Sequence, residues 1–110
     1  MVIKMIKFVN DQEIKEIIAN NQKPILVFGK GSNCGVCDAA EFRINNILSK
    51  KFPDLDIYYV DLDKNPLFRG QYLIFSVPTI LVFENDKEFH RESRIVDFYR
   101  LEMAINAISE

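Results

Sequence analysis

The 110-residue sequence contains no tryptophan, one histidine (His90) and only two cysteines, Cys34 and Cys37. Two thiols cannot supply the two ligand pairs of a structural zinc site. His90 stands far along the chain in a predicted strand, where it reads as a solvent-facing residue rather than a ligand or base. No apolar run approaches the ~20 residues of a membrane-spanning helix. Lysines interrupt every apolar run in the opening "MVIKMIKFVNDQEIKEI", and no small-residue cleavage site follows, so no secretory signal is read there. The expected setting is a reducing cytoplasm, where a structural disulfide is unusual but a catalytic or metal-binding pair is not. Neither sign of charge dominates: the formal net charge is −2, with Lys and Arg spread along the chain. That excludes the basic patches typical of nucleic-acid or anionic-membrane binding. With four glycines, four prolines, no repeats and no linker, residues 1–110 are expected to form one domain.

Against these absences stands an ordinary globular composition, 48% hydrophobic and 27% charged. A short apolar strand is predicted near Val2–Phe8. Asn10 and Glu13 then form a helix-start signature, and Ile14, Ile17 and Ile18 share one helical face. Pro24 ends that helix. The continuous apolar run Ile25–Phe28 predicts a strand covered on both faces. After the cysteines, Val36, Ala40, Ile44, Ile47 and Leu48 predict a long amphipathic helix. Leu55–Leu62 is β-rich, and "DKNPLFRGQY" reads as a turn into a short helix. Thr79–Phe83 predicts a second buried strand, and "END" turns it into a partner around Glu88–Ile95. Asp97 caps a last helix whose Leu101, Ala104, Ile105 and Ile108 face the core. Phe68, Tyr72 and Phe75, spaced by four and three, read as core rather than as a binding stripe. The order βαβαβαββα predicts an α/β fold with a central mixed sheet flanked by helices.

In such sheets chemistry gathers at the carboxyl ends of the strands, and "GKGSNCGVC" lies there. It is a loop entering a helix, not a core face, which argues against two inert buried thiols. Free N–H groups and the helix dipole favour an anion at a helix N-terminus, so Cys34 gains most as a thiolate. Cys37 lies one turn further in and is more shielded. The two thiols therefore suit different tasks, an exposed nucleophile and a resolving partner, and a pair so close closes a disulfide with little loop entropy.

With "SNCGVC" at a strand-to-helix junction, "FSVPTILVF" and "DLDKNPLFRGQY", the sequence resembles the thioredoxin family over nearly its whole length. The resemblance implies a thioredoxin-like fold and thiol–disulfide exchange with protein or small-thiol disulfides. Cys34 and Cys37 would be catalytic, and Gly35, Val36, Val77 and a cis-Pro78 would position the substrate. No bound cofactor is implied. Recycling would come from a thioredoxin-reductase-type flavoprotein or a low-molecular-weight thiol, and nothing in the sequence demands more than a monomer. Asn33 and Val36 replace the family's tryptophan and proline around the cysteines. Phe28 stands in place of a buried aspartate, Tyr59 in place of its lysine partner, and Arg94 in place of a groove glycine. These departures favour a specialist over a general reductant. The alternative from another class is a non-catalytic protein-binding module on the same fold.

Overall fold

Strands β1 (Ile6–Phe8), β2 (Ile25–Lys30), β3 (Asp56–Asp61), β4 (Thr79–Glu84) and β5 (Lys87–Ser93) form one sheet ordered β1-β3-β2-β4-β5. The computed structural model describes residues 6–108, so the predicted strand residues 2–5 lie outside the described part. β1, β3 and β2 run parallel, while β4 and β5 are antiparallel additions, which makes the sheet mixed as expected. The helices are α1 (Asp11–Asn20), α2 (Gly35–Arg43), α3 (Ser49–Lys51), α4 (Pro66–Gln71) and α5 (Phe98–Ile108).

β2 is the central constraint on packing, because Ile25 through Gly29 are all buried. Alternation along the strand sends Leu26 and Phe28 into one cluster with Cys37, Ala40, Ile44, Leu101 and Ile105, beneath α2 and α5. Ile25 and Val27 face the opposite cluster with Ile14, Ile18 and Phe68, beneath α1 and α4. Burial on both faces explains why this run has no polar alternation.

α1 begins at the expected capping box: Glu13 N–H donates to Asn10 Oδ1 at 2.9 Å, and Asn10 N–H donates to Glu13 Oε1 at 3.0 Å. Its first turn is tied to that of α4. Asp11 N–H donates to Oδ1 of the buried Asn65 at 2.8 Å, and Phe68 N–H donates to Asp11 Oδ1 at 2.8 Å.

The cysteine helix departs from the expected pattern. Ala40, Ile44 and Leu48 are buried, but Val36 and Ile47 are exposed. Ile44–Leu48 forms a π-helical turn between α2 and α3. Its wider i→i+5 winding keeps residues four apart on one face and turns Ile47 outward. Val36 lies in the first turn, at the open rim of the sheet. Phe75 is a second correction: Phe68 is buried and Tyr72 half-buried, but Phe75 is 84% exposed. α4 ends at Gln71 and Leu73 has φ 53°, so the chain has left the helix before Phe75 and helical spacing no longer applies.

The β4–β5 hairpin turns through Asn85 (φ 50°) and Asp86 (φ 64°), two left-handed residues that match the twist of the flanking strands. β5 stops at Ser93, short of the predicted Ile95. His90 is half-buried rather than solvent-facing, with Nε2 2.6 Å from Oε2 of the buried Glu92. Arg94 takes φ 64° and donates its N–H to Pro78 O at 2.7 Å, and Asp97 Oδ1 accepts Arg100 N–H at 3.1 Å as the predicted cap of α5.

Two outcomes follow from this packing. Arg94 holds a left-handed conformation that costs a residue with a Cβ about 1–2 kcal/mol, while glycine loses about 0.5–1 kcal/mol more chain entropy on folding. Arg94→Gly is therefore expected to stabilise the fold by roughly 0.5–1 kcal/mol in urea unfolding, with Arg94→Ala giving no such gain. An equal gain from alanine would refute the conformational account.

The second concerns Tyr59, buried with its hydroxyl donating to Asn45 Oδ1. Burial, and secondarily the charge of Glu41, raises its pKa well above the ordinary 10.0. The folded state thus keeps a proton that the unfolded chain loses, so this stability is complete below the unfolded value and is lost as pH rises beyond it. Unfolding free energy is expected to decline above about pH 10, and to decline less steeply in Tyr59→Phe, by up to ~1.4 kcal/mol per pH unit. Identical slopes for the two chains would show that Tyr59 ionises as freely folded as unfolded.

Candidate functional site

β2 delivers the chain to the site through a junction held from both sides. Lys30 O accepts Leu62 N–H at 2.9 Å. Ser32 N–H donates to Asp63 Oδ2 at 2.9 Å, and this backbone hydrogen bond is the largest cause of the lowered pKa of Asp63. A Cβ at Gly29 would stand 2.8 Å from Leu62 Cδ1, and one at Gly31 would stand 3.2 Å from Val77 Cγ2. These close approaches, not positive φ, explain the glycines. The left-handed turn falls instead on Asn33, φ 51°, a residue whose short polar side chain tolerates it.

Cys34 is the N-cap of α2. Its Sγ accepts the N–H of Cys37 at 3.1 Å, and its carbonyl accepts Asp38 N–H at 3.1 Å. The two Cα atoms are 5.1 Å apart and the sulfurs are bonded, so the structure shows the oxidised pair. Cys34 is half-buried and Cys37 fully buried. Helix placement and burial thus differ between the thiols in the direction that the spacing predicted. Gly35, expected among the substrate-positioning residues, has ordinary helical backbone, and nothing lies within 4 Å of where its Cβ would be.

Val77 and Pro78 arrive from the neighbouring strand. The Val77–Pro78 peptide is cis, and Thr79, the next residue, pairs with Gly29 at the end of β2. Val77 and Cys34 each pack against the cluster containing Cys37. The predicted Cys34, Cys37, Val77 and Pro78 therefore meet at one end of the sheet, with Val36 exposed at its rim.

Beneath Cys37 the layer is apolar. Phe28 is fully buried and meets Tyr59, its register partner on β3, edge to face, with centroids 5.5 Å apart and planes at 87°. Where the resemblance would place a carboxylate and an amine, this chain packs two rings.

The polar groups gather on the outer side instead. Lys30 Nζ lies 2.5 Å from Glu41 Oε1 and 3.8 Å from Asp38 Oδ1. Lys30, Ser32, Asn33, Asp38 and Asp61 line an open cavity of about 430 Å³ that reaches Cys34. A groove of about 250 Å³, lined by Val36, Arg43, Ile95 and Phe98 among others, lies against the same helix. Sequence reasoning missed Lys30, Asp38, Glu41 and Arg43 as neighbours of the site. Glu41 is one turn beyond Cys37 and Asp38 one turn beyond Cys34, a helical spacing visible in the sequence. The pairing with Lys30 was not visible, because it joins a strand end to a helix. A further cleft of about 280 Å³ between α1 and α4 contains neither cysteine.

Comparison with known proteins agrees with this geometry. The thioredoxin family model matches residues 5–107. A thioredoxin-like protein of Bacillus subtilis, YdfQ, is 31% identical over 75 residues, covering 68% of this chain and 66% of that protein. Thioredoxin-like protein slr0233 of Synechocystis is 30% identical over 76 residues, covering 69% of this chain and 72% of its own length. Among solved structures, Schistosoma mansoni thioredoxin superposes with a TM-score of 0.84 at 20% identity, covering 96% of this chain and 99% of that one. An N21Q mutant thioredoxin from Halobacterium salinarum also reaches 0.84 at 20% identity, covering 100% and 96%. At that identity the structures establish the fold, and the family match establishes descent. With the paired cysteines at the strand-to-helix junction and the cis-proline segment beside them, the chain belongs to the thioredoxin family, and the Cys34–Cys37 pair gives it a redox role.

Proposed function

We propose that this protein is a dithiol–disulfide oxidoreductase acting on disulfides in protein substrates. The observation that carries the reading is the asymmetry of the pair: Cys34 caps α2 and is half-buried, while Cys37, one turn further in, is fully buried. In the reduced protein the Cys34 thiolate, favoured by the helix N-terminus, attacks one sulfur of a substrate disulfide. A bond forms between Cys34 and that sulfur, the substrate S–S bond breaks, and the other sulfur leaves as a thiolate that takes a proton from solvent. Cys37 then loses its proton and attacks Cys34 Sγ. The Cys34–Cys37 bond forms and the second substrate sulfur departs as a thiolate. Two electrons pass from the protein pair to the substrate, and a flavoprotein reductase or a low-molecular-weight thiol returns them.

Val77 and Pro78 would align the substrate chain beside Cys34, with Gly35 and Val36 forming the facing wall. Pro78 has no N–H to compete for hydrogen bonds there. The test uses the intact chain and its two single variants. Wild type is expected to reduce insulin disulfides with a dithiol donor, and Cys34→Ser to lose this at least about 10³-fold, as expected for removal of a nucleophile. Cys37→Ser is expected to accumulate a mixed disulfide through Cys34, resolvable by mass spectrometry. A folded wild type without turnover would instead indicate the binding-module alternative.

The resolving step carries its own signature. Cys37 lies in an apolar cluster with Phe28, Ala40 and Ile44, and burial disfavours the thiolate. Both carboxylates of α2, Asp38 and Glu41, are engaged on its outer side by Lys30, at 3.8 Å and 2.5 Å. The Cys37 proton must therefore pass to water or hydroxide. Release of a preformed mixed disulfide is expected to accelerate about tenfold per pH unit between about pH 6 and 8, followed by stopped-flow quenching. A rate that levels off by about pH 7 would reveal a local base and contradict this account.

A further inference from the structure

The surface around the cysteines is not electrically uniform, and the asymmetry points to a substrate class. On one flank of Cys34 stand Asp38, Asp61 and Asp63, with Lys30 already occupied by Glu41 and Asp38. On the other flank runs the 250 Å³ groove between α2 and the segment joining β5 to α5. Its walls are Val36, Ala39, Ile95, Val96 and Phe98, and its mouth begins at Val36, between the two cysteines in sequence. Val36 is 57% exposed and Ile95 85%.

Arg43 lines the groove with its guanidinium 4.4 Å from the ring centroid of Phe98. Stacking holds the planar cation in place while leaving its N–H edge free for a carboxylate. Arg94 is exposed immediately before Ile95, and its backbone is anchored to Pro78 O at 2.7 Å. Among the described residues neither Arg43 nor Arg94 has a carboxylate partner. Arg100, also nearby in sequence, lies 3.8 Å from Glu92, which is buried and already paired with His90. The groove is thus apolar in its walls, with Arg43 in its lining and the exposed Arg94 next in sequence to Ile95. Asp97, which follows Val96, accepts the N–H of Arg100.

We infer that the preferred substrates are protein disulfides flanked by an acidic segment carrying an apolar side chain. The apolar side chain fills the groove while Asp or Glu residues pair with Arg43 and Arg94. This rests on the redox reading above and names the substrate class of the same site. The apolar walls alone would accept any hydrophobic segment. The charges discriminate, because a basic segment would face two unneutralised guanidinium groups. The formal net charge of −2 gives no overall attraction for an acidic partner, so the preference arises locally and belongs in KM rather than in long-range steering.

The test compares three disulfide-bridged peptides that are identical except for the segment beside the bridge: Asp-Leu-Asp, Ser-Leu-Ser or Lys-Leu-Lys. For wild type, kcat/KM is expected to favour the acidic over the basic peptide by about fivefold to tenfold, mainly through KM and less at high salt. Arg43→Gln with Arg94→Gln should abolish the preference, and Arg43→Glu with Arg94→Glu should reverse it, with circular dichroism confirming the fold. Equal use of the three peptides, a basic preference in wild type, or a preference unchanged in the double variants would overturn the inference. A small aromatic disulfide without a peptide flank separates the two readings. Its reduction without charge preference among the peptides removes only the substrate class, whereas no reduction of any disulfide removes the redox reading as well.

Discussion

The strand-to-helix junction after β2 is the constraint on which the rest of the molecule depends. β2 is buried on both faces, so its position is set by both hydrophobic clusters at once. Whatever follows its carboxyl end inherits that placement. The chain then has only the few residues between Lys30 and Gly35 in which to leave the sheet and start a helix. Leu62 and Val77 crowd Gly29 and Gly31, Asp63 holds Ser32, and Asn33 makes the left-handed turn. Cys34 arrives at the helix cap because every residue before it is fixed, and Cys37, one turn later, falls into the layer below. Their inequality is a consequence of the backbone path rather than of side-chain chemistry at the pair.

Much of this was legible in the residues. The apolar run at Ile25–Phe28 required a doubly covered strand, the Asn10–Glu13 pair marked a helix start, and Asp97 marked another; each depends on local rules acting within a few residues. The site was legible for a similar reason, since a cysteine pair between a buried strand and a helix has few places to go. What escaped were features decided across elements. The period-of-four pattern through Leu48 implied a regular helix, but the π turn appears only when Ile44 and Leu48 are packed against the sheet together. Phe75 kept a helical interval from Tyr72 in sequence while the chain had already turned at Leu73. Lys30 closed an apolar run and gave no sign that Glu41 would meet it. The His90–Glu92 pair differs from these, because it lies within one strand and a period of two places the two side chains on the same side.

The substitution of Phe28 and Tyr59 for a charged pair changes the interior in a consistent way. A buried carboxylate without full hydrogen bonding carries a desolvation penalty of several kcal/mol, and an amine opposite it repays this only with good geometry. Two rings meeting edge to face avoid both terms and contribute about 0.5–1.5 kcal/mol beyond their buried area. The only polar atom they bring, the Tyr59 hydroxyl, is satisfied by Asn45 at the π turn. Asn45, in that turn, accepts the hydrogen bond of the residue that stands where the amine would be. The layer under Cys37 is packed by rings and aliphatic side chains, and in the proposed mechanism it takes no part in moving the Cys37 proton.

The balance between dithiol and disulfide then rests on fewer groups. For a two-electron couple about 30 mV corresponds to ~1.4 kcal/mol, so any contact that distinguishes a thiolate from a bonded sulfur shifts the balance measurably. A hydrogen bond to a charged acceptor contributes about 1.5–3 kcal/mol. The Cys37 N–H already directed at Cys34 Sγ is such a contact when Cys34 is a thiolate, and it supports the reduced form. With Phe28 in place of a carboxylate, the apolar cluster around Cys37 places no second negative charge beneath a transient Cys37 thiolate. In the proposed reading the charges flanking the site take up the remaining control, Asp38 and the Lys30–Glu41 pair on one side and, on the other, Arg43 and Arg94, which have no carboxylate partner among the described residues. In the proposed mechanism the proton chemistry of Cys37 is left to solvent, and electrostatic discrimination falls to the rim where a substrate would first touch the protein.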